Sequence, residues 1–150
     1  MKPDDKAKEL GIDLAGYPGL QNLAPAVRSG NTIYVSGHIS NGYKGKVGKD
    51  FTTEQGQAAA RVCAVQLLQA VYSLNGTLNN LRCVKVFGCV NSMPEFTEQH
   101  LVINGASQLI WDVLGKDTRG YHARSALGFV SLPLGAAVEV EAIFEVVSEE

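Results

Sequence analysis

The stretch LRCVKVFGCVN, residues 81–91, is rich in apolar and β-branched side chains, so it reads as a strand inside a sheet. Before it, Ala58, Val62, Ala64, Val65, Leu68 and Tyr72 recur at spacings of three and four, which predicts one long amphipathic helix. Thr52 or Thr53 can cap that helix, and Asn75-Gly76 ends it. After it, Pro94 and Glu95 open a second helix carrying Phe96, Leu101, Ile103, Leu109, Ile110 and Val113, which stops at Gly115. Two long helices separated by a single strand imply a mixed sheet of about five strands with both helices on one face.

The flanks supply the remaining strands. Residues 26–28 and 32–39 read as a hairpin around Ser29-Gly30-Asn31, whose Gly-Asn pair suits positive φ. Residues 122–132 and 137–147 alternate in character and are joined by Pro133-Leu134-Gly135. The expected order is β-β-α-β-α-β-β, an α+β fold occupying one domain over 26–150. Residues 1–25, with Gly11, Gly16, Pro18, Gly19 and Pro25, read as a leader wrapped irregularly on the surface, with one helical turn near residues 5–10. NGYKGKVGKD (41–50) has three glycines and three lysines and reads as a mobile loop.

Strand parity then sorts the faces. In the last strand Val138, Val140, Ala142, Phe144 and Val146 pack under the helices, which leaves Glu139, Glu141 and Glu145 on the helix-free side. In the preceding strand Leu127 and Phe129 share one parity and Arg124, Ala126 and Gly128 the other, which places Arg124 on the helix-free face with the three glutamates. If the two strands form a tight hairpin, Arg124 lies opposite Glu145 and about 20 Å from the level of Glu139. Either Arg124 pairs with Glu145, or Arg124 and Glu139 meet across a subunit boundary. The small, poorly charged helix-free face suits close approach by another subunit.

Composition narrows the partners. With 13 Lys plus Arg against 15 Asp plus Glu the net charge is -2, and no block of like charges offers a footprint for nucleic acid or an anionic membrane. A 45% hydrophobic content with only 19% charged residues excludes disorder and predicts uncharged surface. MKPDDKAKEL is charged where a secretory segment is apolar, and no run reaches a membrane span, so a cytoplasmic location is expected. Cys63, Cys83 and Cys89 lack metal or redox spacing and read as reduced packing residues. The phosphate-loop, zincin, dinucleotide and nucleophile-elbow motifs are all missing. Ser36 and His38, flanking Gly37, read as structural polar residues at a strand end rather than a nucleophile and base.

Four segments together carry a resemblance: GNTIYVSGHIS (30–40), NSMPEFTEQHLVINGA (91–106), YHARSALGFVSLP (121–133) and AVEVEAIFEV (137–146). In this order, from about residue 23 to 147, the chain resembles the YjgF/RidA family of reactive-intermediate deaminases, also labelled endoribonuclease L-PSP. The resemblance implies a chorismate-mutase-like α+β fold and a homotrimer built around a β-barrel, with sites in the clefts between subunits. It implies that Arg124 binds the substrate carboxylate, that Glu139 handles the attacking water, that Asn104 lies at the cleft and that Gly37 belongs to the strand lining it. The implied reaction hydrolyses a 2-imino or enamine acid to a 2-oxo acid and ammonia without metal or cofactor, so the expected partners are small 2-imino, 2-amino or 2-oxo carboxylates and further copies of the chain.

Ala126 stands where the family carries a cysteine and His122 where it carries a proline. Tyr17 or Tyr121 is left to stand in for a family tyrosine, and His122, on the side of Arg124, is a candidate substrate-binding group. The deaminase is the first expectation and a non-catalytic trimeric binder of small carboxylates the alternative. An endoribonuclease is third, since charge and histidine placement do not favour it.

Overall fold

The computed structural model describes residues 1–148. The Thr52 hydroxyl accepts from the Gln55 N–H (3.2 Å) and the Gln55 side chain accepts from the Thr52 N–H (2.8 Å), so a capping box starts α2 (Thr53–Asn75). Gly76, at φ 84°, ends it in the left-handed conformation. Thr52→Ala is expected to cost about 1 kcal/mol, read in thermal denaturation as a Tm lower by about 2–4 °C.

The strand 81–91 forms β3 (Leu81–Asn91), and a hairpin of β1 (Ala26–Ser29) and β2 (Thr32–Ile39) precedes α2. The second helix, α3 (Gln99–Leu114), begins five residues later than expected: the chain after Met93 makes a turn instead, in which the Phe96 N–H donates to the Met93 carbonyl (3.0 Å). It is followed by β4 (Ala123–Phe129) and β5 (Val138–Val146). The leader is not irregular throughout. It opens with helix α1 (Pro3–Glu9), buries Ala7 and Ile12, and is tied down by Asp4, whose carboxylate accepts from Leu78 N–H (2.7 Å) and the Thr77 hydroxyl (2.6 Å).

The five strands run in the order β1-β2-β5-β3-β4, with only β3 and β4 parallel. The expected hairpin between the last two strands does not form. β3-α3-β4 is a strand–helix–strand unit, whose crossover returns β4 parallel to β3 on its outer edge. β5 instead takes the slot between β2 and β3, where Val138, Val140, Ala142 and Phe144 are buried beneath the helices. The segment 133–135 still turns, with Leu134 at φ 59° and Gly135 at φ 71°, but Ala136 and Ala137 then join Lys44 and Tyr43. The 41–50 segment is accordingly pinned rather than loose: Val47 is fully buried and its backbone bonds Asn91 and Met93.

The face assignment of β4 is also reversed. Arg124, Ala126 and Gly128 point toward α3, whereas Leu127 (49% exposed) and Phe129 (37%) lie on the helix-free side. Beside Arg124, the space between the sheet and α3 is narrow. A Cβ on Gly128 would sit 2.7 Å from Gln99 Nε2, and one on Gly88 would sit 2.5 Å from Ile103. The core beneath the helices is filled instead by Ile33, Leu67, Leu68, Ile103, Leu109, Ile110 and Phe144. Cys63, Cys83 and Cys89 are free and buried. Among the described residues no helix is long and apolar enough to cross a membrane.

Candidate functional site

β4 lies at the sheet edge, so Arg124 can bend back onto α3. There His100, Asn104 and Ser107 recur at spacings of four and three and form one stripe. Arg124 Nη1 donates to Asn104 Oδ1 (2.7 Å) and Ser107 Oγ (3.3 Å), and Nη2 donates to the His100 carbonyl (3.2 Å). All three acceptors are neutral, and among the described residues Arg124 forms no ion pair. Burial pushes the guanidinium pKa down from its ordinary value. Of the five N–H donors of the group these bonds use three. The two left over are Nε–H and one Nη2–H, and the Nε/Nη2 edge of a guanidinium is one that matches a carboxylate.

His122, two positions before Arg124, lies behind this nest. Its Nε2 is 2.9 Å from Ser107 Oγ and its Nδ1 is 2.6 Å from the Gly120 carbonyl oxygen, while its ring stacks on Trp111 with centroids 6.0 Å apart. Burial lowers its pKa, and the neighbouring Arg124 charge adds to that, against the Gly120 bond. Ser107 and the His100 carbonyl were not singled out from the sequence. Their spacing from Asn104 on a helix was the available signal.

Glu139 and Gly37 come together on the other face. β2 bulges between Val35 and His38, and at this bulge the Gly37 backbone runs against Glu139 so closely that a Cβ would lie 2.6 Å from Oε2. Burial, and secondarily Glu141, holds the half-buried Glu139 carboxyl above its ordinary pKa. Cys89 pairs with Glu139 across the strands, and its thiol is pushed up to about 11, mainly by burial and then by Glu139. In Gly37→Ala the new methyl meets the mobile end of Glu139 rather than backbone. The chain is expected to fold with the carboxylate driven toward solvent, and ¹³C NMR titration should show the Glu139 pKa falling toward its ordinary value.

The bulge also separates Ser36 from His38. Ser36 Oγ donates to the Ala24 carbonyl (2.6 Å), while the buried His38 ring lies 2.6 Å from the Ser36 carbonyl through Nδ1 and 2.7 Å from the Tyr17 hydroxyl through Nε2. Tyr17 is thus committed to His38, and Tyr121 is exposed.

The expected pairing of Arg124 with Glu145 is absent, because Glu145 has Thr32 and Arg82 as cross-strand neighbours. Nor do Arg124 and Glu139 share a face within one chain. Arg124 pairs with Val86, and Val86 with Ala142; Glu139 is three residues from Ala142 and points to the opposite side. One chain therefore holds two separate groups: Arg124, Asn104 and His122 on the helix side of the sheet edge, and Glu139 with Gly37 on the helix-free face.

A mixed five-stranded sheet with helices α2 and α3 on one face and a guanidinium nest at its edge places the chain among small α+β domains of known type. The fold recurs in a candidate endoribonuclease from Shewanella oneidensis MR-1, 22% identical, with a TM-score of 0.90 over 97% of this chain and 100% of that one. It recurs at 45% identity in Atu1372 of Agrobacterium tumefaciens, a protein of unknown function, with a TM-score of 0.85 over 96% and 92% of the two chains. Protein TCP17 of Trypanosoma cruzi is 43% identical over 145 residues, 92% of this chain and 90% of that protein. The sequence pattern of the endoribonuclease L-PSP family matches residues 18–146, and the chain belongs to that family, the YjgF/RidA family.

Proposed function

We propose that the chain hydrolyses reactive 2-imino or enamine acids to 2-oxo acids and ammonia, in clefts between copies of itself. The observation that carries this reading is Arg124, a half-buried guanidinium bonded only to neutral acceptors with one edge unpartnered. A substrate α-carboxylate supplies both the missing charge and the matching fork geometry. The chain belongs to the YjgF/RidA family, and imine hydrolysis is the reaction that the resemblance to that family implies.

In this reading Arg124 fixes the carboxylate and so holds the imine carbon in place. Glu139 takes a proton from water as its oxygen bonds to that carbon, and the imine nitrogen gains a proton. The resulting carbinolamine then collapses: the hydroxyl gives up its proton, the C–N bond breaks, and the nitrogen leaves as ammonia after a second protonation. A carboxyl held above its ordinary pKa is suited to this exchange, and Gly37 keeps the backbone close to it. Glu139→Gln is expected to keep 2-oxo acid binding and lose turnover by about 10²-fold or more, measured by calorimetry and by stopped-flow decay of a 2-imino acid.

Because the two groups lie on opposite faces of one sheet, the reading needs Arg124 of one copy and Glu139 of the next. The exposed apolar side chains Val27, Tyr34, Leu127 and Phe129 on the helix-free face support burial against another copy, and the homotrimer is the family's arrangement. No acceleration of imine decay over buffer, in an assay that responds to an active family member, sinks the enzymatic reading. Ala126, in place of the family's cysteine, favours the second reading, a non-catalytic carboxylate binder; binding without turnover selects it. RNA cleavage is not favoured, since the charge is -2 and both His38 and His122 are tied to internal partners.

A further inference from the structure

Ser107 is fully buried on α3, and its hydroxyl lies between Arg124 Nη1 (3.3 Å) and His122 Nε2 (2.9 Å). The direction of each bond in this row follows from donor chemistry. The Gly120 carbonyl can only accept, so His122 Nδ1, 2.6 Å away, carries a proton. In the neutral ring Nε2 is then a bare acceptor, and the Ser107 O–H is the donor that reaches it. That donation leaves the Ser107 lone pairs for Arg124, whose N–H groups can only donate. The opposite tautomer would set two lone pairs against each other at 2.6 Å.

A charged ring breaks the row: imidazolium and guanidinium would both donate to the Ser107 oxygen, and the Ser107 proton would need an acceptor other than His122. The groups around the ring are Arg124 on β4, Ser107 and Trp111 on α3, Lys116, with its ammonium 5.2 Å from the Trp111 ring, and Asp117 and Tyr121, which line the same surface depression. Burial and the Arg124 charge both disfavour protonation there.

We infer that His122 and Ser107 are positioning residues for Arg124: through a one-way row of hydrogen bonds ending on Gly120 they pin its Nη1 side to α3 and keep its Nε/Nη2 edge turned to an incoming carboxylate. The inference rests on the carboxylate-binding reading of Arg124 and adds two residues that act through it without touching the ligand. His122, expected from the sequence as a substrate-binding group, has both ring nitrogens occupied by the protein.

The test uses the full chain with 2-oxobutyrate as calorimetric probe. Ser107→Ala and His122→Leu should each weaken binding about 3–10-fold. His122→Gln, whose amide oxygen reaches the Nε2 position and accepts from Ser107, should restore most of it. Equal affinities for the Leu and Gln variants overturn the inference. A second readout needs no ligand. In ¹⁵N NMR, His122 should be the Nδ1–H tautomer, and its titration midpoint, below the ordinary histidine value, should rise in Arg124→Ala. An Nε2–H ring, or a midpoint indifferent to Arg124→Ala, overturns the row of bonds. Wild-type protein that binds no 2-oxobutyrate overturns the carboxylate reading instead, and the ring readout still decides the row.

Discussion

Arg124→Ala is expected to weaken 2-oxo acid binding, and kcat/KM for imine hydrolysis, by about 10²–10⁴-fold, because two charge-assisted hydrogen bonds of about 1.5–3 kcal/mol each are lost. Stability should change little by comparison. Arg124 is half-buried at an edge strand; of the oxygens it leaves, those of His100 and Asn104 lie on the open side of α3, while the buried Ser107 hydroxyl keeps its bond to His122. Removing a desolvated cation offsets part of the lost hydrogen bonding. Arg124→Lys restores the charge without the fork, so it should recover about tenfold at most. Binding by Arg124→Ala at wild-type affinity would place the carboxylate elsewhere. A collapse of Tm in the same variant would make Arg124 a structural residue.

Gly105→Ala should produce the largest loss of stability. On helix propensity alone this change gains about 1 kcal/mol. The packing opposes it: a Cβ on Gly105 would lie 2.0 Å from the Gln57 carbonyl oxygen, and that oxygen is α2 backbone, which cannot move without its helix. Gln57 also donates from its side chain to the Leu101 carbonyl (2.9 Å), so the two helices are held together at this level. Forcing them apart is expected to cost about 3 kcal/mol or more, a fall in Tm on the order of 10 °C. Asn104 is the next residue, so ligand affinity should drop in the same variant. A rise in Tm would show that propensity wins and that the helices do not approach this closely.

What the chain reveals without its fold is uneven, for physical reasons. The capped helix at Thr52, the strand 81–91 and the inward parity of 138–146 rest on local signals, and all three stand. The pairing of β4 rests on a distant one, the crossover through α3. Its facing was misleading in a specific way. Leu127 and Phe129 are the largest apolar residues on that strand and would ordinarily be buried, but the face toward α3 is taken by Ala126, Gly128 and the polar Arg124, whose guanidinium bonds the helix. Val47 has the same lesson in miniature, since a single apolar residue anchors a segment otherwise rich in lysine and glycine. In the candidate site, Arg124, Asn104, Glu139 and Gly37 were legible through family resemblance. Ser107 was not, because its neighbours lie 15 and 17 residues away in sequence and meet it only when β4 docks on α3.

The central claim is that Arg124 and Glu139 act together only across a boundary between copies. It is tested most directly by mixing two variants, Arg124→Ala and Glu139→Gln, each inactive alone, under conditions that allow subunits to exchange. If each site takes Arg124 from one chain and Glu139 from the next, random mixing in equal amounts rebuilds about a quarter of the sites intact, and imine hydrolysis should return to about that fraction of wild type. Activity that stays at the level of the separate variants, with exchange verified by mass spectrometry, would contradict the account.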